Sequence, residues 1–155
     1  MKYAMDYHVV PILGLTTVTA AETATEYVDM KDYQWVDFHV SVGTLTGDVM
    51  TLTIEESSTA ASSSAGTIPF VYRQCSAVAT DTIGAVTTAA STGVAVADSD
   101  DNTLWILSVD PRTMTEGNRF LRVLLSEGSS TSAAVKGVTA VLFPKYAQAT
   151  PLSSS

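Results

Sequence analysis

Apolar and polar side chains alternate along residues 35–42, with Val36, Phe38, Val40 and Val42 on one side of an extended chain and Trp35, Asp37, His39 and Ser41 on the other. A period of two marks a pleated strand with one buried face. A second ladder follows, in which Met50, Leu52 and Ile54 alternate with Thr51, Thr53 and Glu55. The segment between them, Gly43-Thr44-Leu45-Thr46-Gly47-Asp48, carries residues tolerant of positive φ at both ends. The simplest expectation is an antiparallel hairpin.

Strand patterns recur at Ile68–Arg73, Gly84–Thr88, Gly93–Ala97, Thr103–Val109, Arg119–Ser126 and Val135–Phe143, about eight strands in all. Leu121, Val123 and Leu125 alternate with Phe120, Arg122 and Leu124, the pattern of a strand covered on both faces except where the arginine emerges. Asp110-Pro111-Arg112-Thr113-Met114 begins with an N-cap residue and a proline at the first helical position, so one short helical turn is expected there. Short strands at this spacing, without long amphipathic helices, predict an all-β protein. An antiparallel β-sandwich of jelly-roll or Greek-key type fits best, ahead of an up-and-down barrel.

The expected organisation is an N-terminal arm over residues 1–25, a sandwich domain over 26–146 and a C-terminal tail over 147–155. The first segment shows no sustained apolar period, and Thr16–Thr25 is mostly Thr, Ala and Glu. An N-terminal strand pairing within the same domain is the alternative. Ser57–Gly66 (SSTAASSSAG) has the small-residue composition of an exposed loop.

At 155 residues one core is expected rather than two. The net charge of −8 and the scattering of only eight basic residues argue against nucleic acid, since phosphate binding uses clustered Lys and Arg. Nothing approaches the ~20 apolar residues of a membrane-spanning helix, so no membrane partner is expected. Val9–Leu15 superficially resembles a signal-peptide core, but it is short, broken by Pro11 and Gly14, and preceded by Asp6 and His8. Cys75 is the only cysteine, which rules out an intrachain disulfide and makes an intracellular origin the simpler expectation.

Candidate chemistry is sparse. A Cys75 nucleophile with His39 as base and Asp37 as orienter can be written down, yet Asp37 and His39 project side by side from one strand, and Cys75 stands in no motif. Asp98-Ser99-Asp100-Asp101-Asn102 offers carboxylates in the style of a Ca²⁺ loop. However, Thr103 stands where the turn glycine belongs and Val109 where the bidentate glutamate belongs. A solvated turn is the better reading, and no metal or cofactor is expected. Trp35 and Tyr33, with Tyr27 nearby, suggest a docking platform for a partner or a carbohydrate, with packing of Trp35 under the arm or a loop as the equal alternative.

Several segments in order resemble small structural proteins encoded among the head genes of tailed bacteriophages. They are Asp29–Tyr33, Val36–Val40 with Gly43, Thr51–Glu55, Ile68–Arg73, Arg119–Val123 and Leu142–Tyr146. The resemblance implies a capsid decoration, or cement, protein without catalytic residues. It would bind the major capsid protein on the outer surface of the virion, be made in the host cytoplasm, and assemble as a homo-oligomer, a trimer rather than a dimer. The interface residues expected from the chain's own pattern are Tyr3, Tyr7, Val9 and Val10 of the arm with Tyr33, Trp35 and His39. A tail-tube subunit, a head–tail adaptor and a carbohydrate-binding module are the alternatives.

Overall fold

The computed structural model describes residues 7–18, 21–45, 49–61, 65–75, 79–128 and 134–146. In chain order the strands are β1 (His8–Val18), β2 (Glu22–Ala24), β3 (Val28–Asp29), β4 (Tyr33–Val42), β5 (Met50–Ser57), β6 (Gly66–Ile68) and β7 (Phe70–Cys75). They continue with β8 (Thr87–Ala89), β9 (Val94–Val96), β10 (Thr103–Val109), β11 (Phe120–Glu127) and β12 (Ala134–Pro144). One sheet has the order β1-β12-β4-β10-β7-β8, and the other β2-β11-β5-β6, with β3 also on β11 and β9 also on β5. Every pairing is antiparallel.

The pairings are nested. β1 meets β12, β2 and β3 meet β11, β4 meets β10, and β5 meets β9, so the chain folds as one long doubled ribbon wrapped into two layers. This is the jelly-roll arrangement, extended at one edge by β7 and β8. It also overturns the expected hairpin: β4 and β5 lie in different sheets. Both ladders carry an apolar face, and placing them in opposite layers turns Val36, Phe38 and Val40 towards Leu52 and Ile54, all fully buried. The connection is therefore an arch between layers. Gly43 N–H donates to the Val135 carbonyl at 2.8 Å, Leu45 N–H donates to Asp101 Oδ1 at 2.6 Å, and Leu45 is itself buried.

A similar correction applies at Ile68–Arg73, expected as one strand. Pro69, which has no N–H to give to a ladder, separates β6 in one sheet from β7 in the other. The strand expected at Gly84–Thr88 is displaced to Thr87–Ala89. By contrast, Thr103–Val109 is a strand over the expected residues, and Pro111–Thr113 is a 3₁₀ turn whose Asp110 carboxylate accepts from Arg112 N–H.

The division between an arm at 1–25 and a sandwich from 26 also needs correction for the described residues. His8–Val18 is an integral strand paired along β12, from His8↔Leu142 to Val18↔Ala134, and Glu22–Ala24 belongs to the opposite sheet. Two register irregularities, between Pro11 and Leu13 and between Leu13 and Thr16, explain why no period of two is visible in the sequence: each bulge resets which side chains face inward. Tyr3, residues 46–48 and the tail expected at 147–155 lie outside the described residues.

Candidate docking surface

Residues directly opposite one another in antiparallel strands share a face, so the registers define the outward face of the larger sheet row by row. Phe143 lies opposite Trp35; Val9, Val141, Asp37, Ser108 and Val71 form a second row; Pro11, Thr139, His39, Ile106 and Arg73 form a third. Tyr7, just before β1, extends the first row by meeting the Phe143 ring edge-on at 4.8 Å. An aromatic strip thus runs from the sheet edge to its third strand.

Of the expected interface residues, the structure brings Tyr7, Val9, Trp35 and His39 to this face and separates two others. Val10 lies opposite Ala140 and packs against the core. Tyr33 is buried, its hydroxyl 2.7 Å from His8 Nδ1. The cause is a bulge: one step on β12, from Phe143 to Pro144, spans two on β4, from Trp35 to Tyr33. That extra residue reverses the alternation and turns Tyr33 inward. Tyr27, grouped with Trp35 by sequence, sits instead beside the outward face of the smaller sheet. There the Arg122 guanidinium covers its ring at 4.7 Å while pairing with Glu55 at 2.6 Å.

Trp35 is half-buried rather than an open platform. Its indole N–H donates to Asp37 Oδ1 at 2.7 Å, and the Ser108 hydroxyl donates to the same oxygen at 2.5 Å. Beside it, Pro69, Val71, Thr88 and Val109 help to line an apolar pocket of about 220 Å³. Ligand sites are typically ~300–1,000 Å³, so this one suits a single inserted side chain better than a whole ligand.

His39 is half-buried between Ile106 and Thr139, with Arg73 beyond Ile106 and Asp37 two residues along its own strand. Burial lowers its pKa from the ordinary 6.5, and Asp37 opposes that shift. With the folded pKa depressed, the unfolded chain takes up the proton first as pH falls, and stability is lost until the folded imidazole also protonates. Between about pH 7 and about pH 5.5 the melting temperature should therefore fall more steeply for the wild type than for His39→Gln. Equal slopes in a thermal melt series would show that His39 carries none of this dependence.

The sequence-level chemical candidates are not assembled. Cys75 lies on β7 and His39 on β4, with β10 between them. At ~4.8 Å per strand that is roughly 10 Å, beyond hydrogen-bond reach. In the acidic loop, Asp100 accepts from Gln74 Nε2 and Ala97 N–H, and Asp101 from Leu45 N–H. These carboxylates close turns and tie loops together, and no cluster of three or more His, Cys, Asp or Glu suited to a metal occurs among the described residues.

No family model matches the chain. No curated protein matches it either. Among solved structures it is similar to a chain in the structure of the infectious bursal disease virus Gt strain, at 9% identity and a TM-score of 0.26, over 96% of this chain and 43% of that one. A likeness that low carries no argument about fold or role.

Sequence reasoning missed two contributors to the surface, Phe143 and Leu15. Phe143 was legible as a strand residue, but only the register places it beside Trp35, as it places the buried Val141 beside Asp37. Leu15 is 73% exposed on the edge strand, and its signal, an apolar residue between Gly14 and Thr16, is hidden by the bulges around it.

Proposed function

We propose that this protein is a virion structural protein, specifically a bacteriophage capsid decoration protein that binds the outer head surface and ties major capsid subunits together. The observation that carries the reading is the edge strand β1. It is eleven residues long, contains no Lys, Arg, Asp or Glu, and holds Val9 and Leu15 exposed. Proteins that stay monomeric usually blunt such an edge with charge. Here Pro11 removes one donor, two register irregularities bend the strand, and Glu26 N–H occupies the Ile12 carbonyl, so the exposed Leu15 marks the place for an added strand. The Tyr7, Phe143 and Trp35 strip lies at the opposite, His8 end of the same strand, so a partner running along β1 meets aromatic contacts there as well.

Repetition on a shell strengthens modest contacts: an oligomer holding several capsid sites gains avidity that one copy lacks. The acidic balance of the chain limits competition for packaged DNA. The carbohydrate reading gains no support from Trp35, which is half-buried rather than an open stacking platform.

Light scattering after size exclusion, with co-sedimentation on expanded empty heads, tests the proposal. The expected result is a trimer that binds the heads; a monomer that ignores both immature and mature shells would sink it. Leu15→Lys should abolish assembly or head binding while shifting monomer stability by no more than ~0.5 kcal/mol, since the side chain is exposed. Unchanged binding by this variant would remove β1 from the interface.

A further inference from the structure

Inside the sandwich, where apolar side chains meet from both layers, one cation faces one anion. Lys136 projects inward from β12 opposite Val42, and Glu127 from the end of β11 opposite Met50, so the two come from different sheets. Their side chains are 0% and 1% exposed, and Lys136 Nζ contacts Glu127 Oε1. Among the described residues Lys136 Nζ has no other hydrogen-bond partner, and Glu127 Oε2 is buried with none.

An ammonium carries three donors and a carboxylate accepts at about four lone-pair sites, so one contact leaves most of that capacity unmet. Buried ion pairs repay their desolvation only when the remaining groups are satisfied. This pair is held in direct contact yet poorly accommodated as charges.

We propose that Lys136 and Glu127 are joined by an intramolecular isopeptide bond, a covalent staple between the two sheets. Proton transfer from Nζ to the carboxylate across the existing contact gives a neutral amine and a neutral acid. The amine lone pair attacks Glu127 Cδ, forming the C–N bond. The tetrahedral adduct then breaks its C–OH bond, and the hydroxyl leaves as water with one proton from the nitrogen. The products are an amide and one water, with no oxidant or further reactant needed.

The surroundings favour each stage. Burial pushes the Lys136 amine towards its neutral, nucleophilic form. In water the hydration of separated charges holds such a pair apart, but that stabilisation is missing here. The amide also removes both charges and one of the two carboxyl oxygens. Val42 and Met50, both buried, stand beside the pair in register and limit the access of water that would reverse the step.

Intact-mass spectrometry of the purified, folded wild-type protein, followed by tryptic mapping, decides the matter. The expected mass is lower than that of the sequence by one water. The fragment ending at Lys136 should be replaced by one running from Val123 to Lys145, lighter by the same water, because trypsin does not cleave after an acylated lysine. Lys136→Arg should restore the full mass; should that variant fail to fold, the wild-type map alone is decisive. A full mass that persists through prolonged incubation of the folded protein overturns the proposal, and so does a water loss mapped to other residues. Neither result bears on head binding, so this inference and the decoration reading stand or fall separately.

Discussion

Truncating Phe38 to alanine should lower the unfolding free energy by about 3–5 kcal/mol, seen as a fall in the denaturant midpoint at unchanged slope. Phe38 is fully buried on β4, a central strand of the larger sheet, between Ala140 and Leu107 in register. The ring fills the space left by the small Ala140. Alanine there would leave two adjacent methyl-sized side chains and a cavity that paired strands on both flanks prevent from collapsing. Domains of this size commonly hold only ~5–15 kcal/mol in total, so one ring is a large share. Gln34→Ala, at an exposed position one turn of the pleat away from the core, should change stability by no more than ~0.5 kcal/mol. A Phe38→Ala loss as small as that would mean that the two sheets do not pack at this point.

The second large effect is expected at Gly93, and it comes with an internal control. Gly93 has φ +88°, and a Cβ there would stand 2.3 Å from the Leu52 carbonyl oxygen and 2.5 Å from Thr53 Cγ2. The first of these atoms is backbone of β5, fixed by its pairing with β9 and β11. Gly117 has a similar φ of +91° but nothing within 4 Å of such a Cβ. Left-handed backbone costs an L-residue ~1–2 kcal/mol, so Gly117→Ala should lose about that much. Gly93→Ala carries the same penalty and must also push β9 off β5, so its loss should exceed that of Gly117→Ala by more than ~2 kcal/mol. Equal midpoints for the two variants in urea would show that β9 yields freely and is no firm part of the sandwich.

How far the sequence speaks for the structure depends on which physical quantity a given residue encodes. The ladder at Val36–Val42 identified its buried face correctly, and Leu121, Val123 and Leu125 are buried as expected, because burial of alternate side chains is a local property of a pleated strand; the cover expected on the other face of that strand is partial, with Phe120 and Leu124 half-buried. Arg122 and Tyr27 show the boundary of that method. The pattern had Arg122 emerging from a covered strand and Tyr27 near Trp35; in the structure the two stack on each other across the smaller sheet. The turn at Asp110–Thr113 was legible because its cap, proline and hydroxyl residues act within four positions. The surface was less legible: Trp35 and His39 were placed on the correct face, while Tyr33 and Val10 were not. The bulge that turns Tyr33 inward is a property of the β4 and β12 pair, and neither strand states it alone.

The sequence by itself determined that this chain is built of strands, which of their faces are apolar, and that its eight basic residues are scattered along the chain. Each of these follows from side chains acting one at a time or on near neighbours. The tertiary structure alone decided which strand pairs with which. The ladders of β4 and β5 are compatible with a hairpin, but burying both apolar faces at once requires opposite sheets, and that choice depends on β9, β10, β11 and β12, tens of residues away. The same long-range pairing makes β1 the exposed edge, sets Phe143 beside Trp35 and brings Lys136 to Glu127. Register and layer assignment are settled by the packing of the whole sandwich, and no local pattern in the chain carries that information.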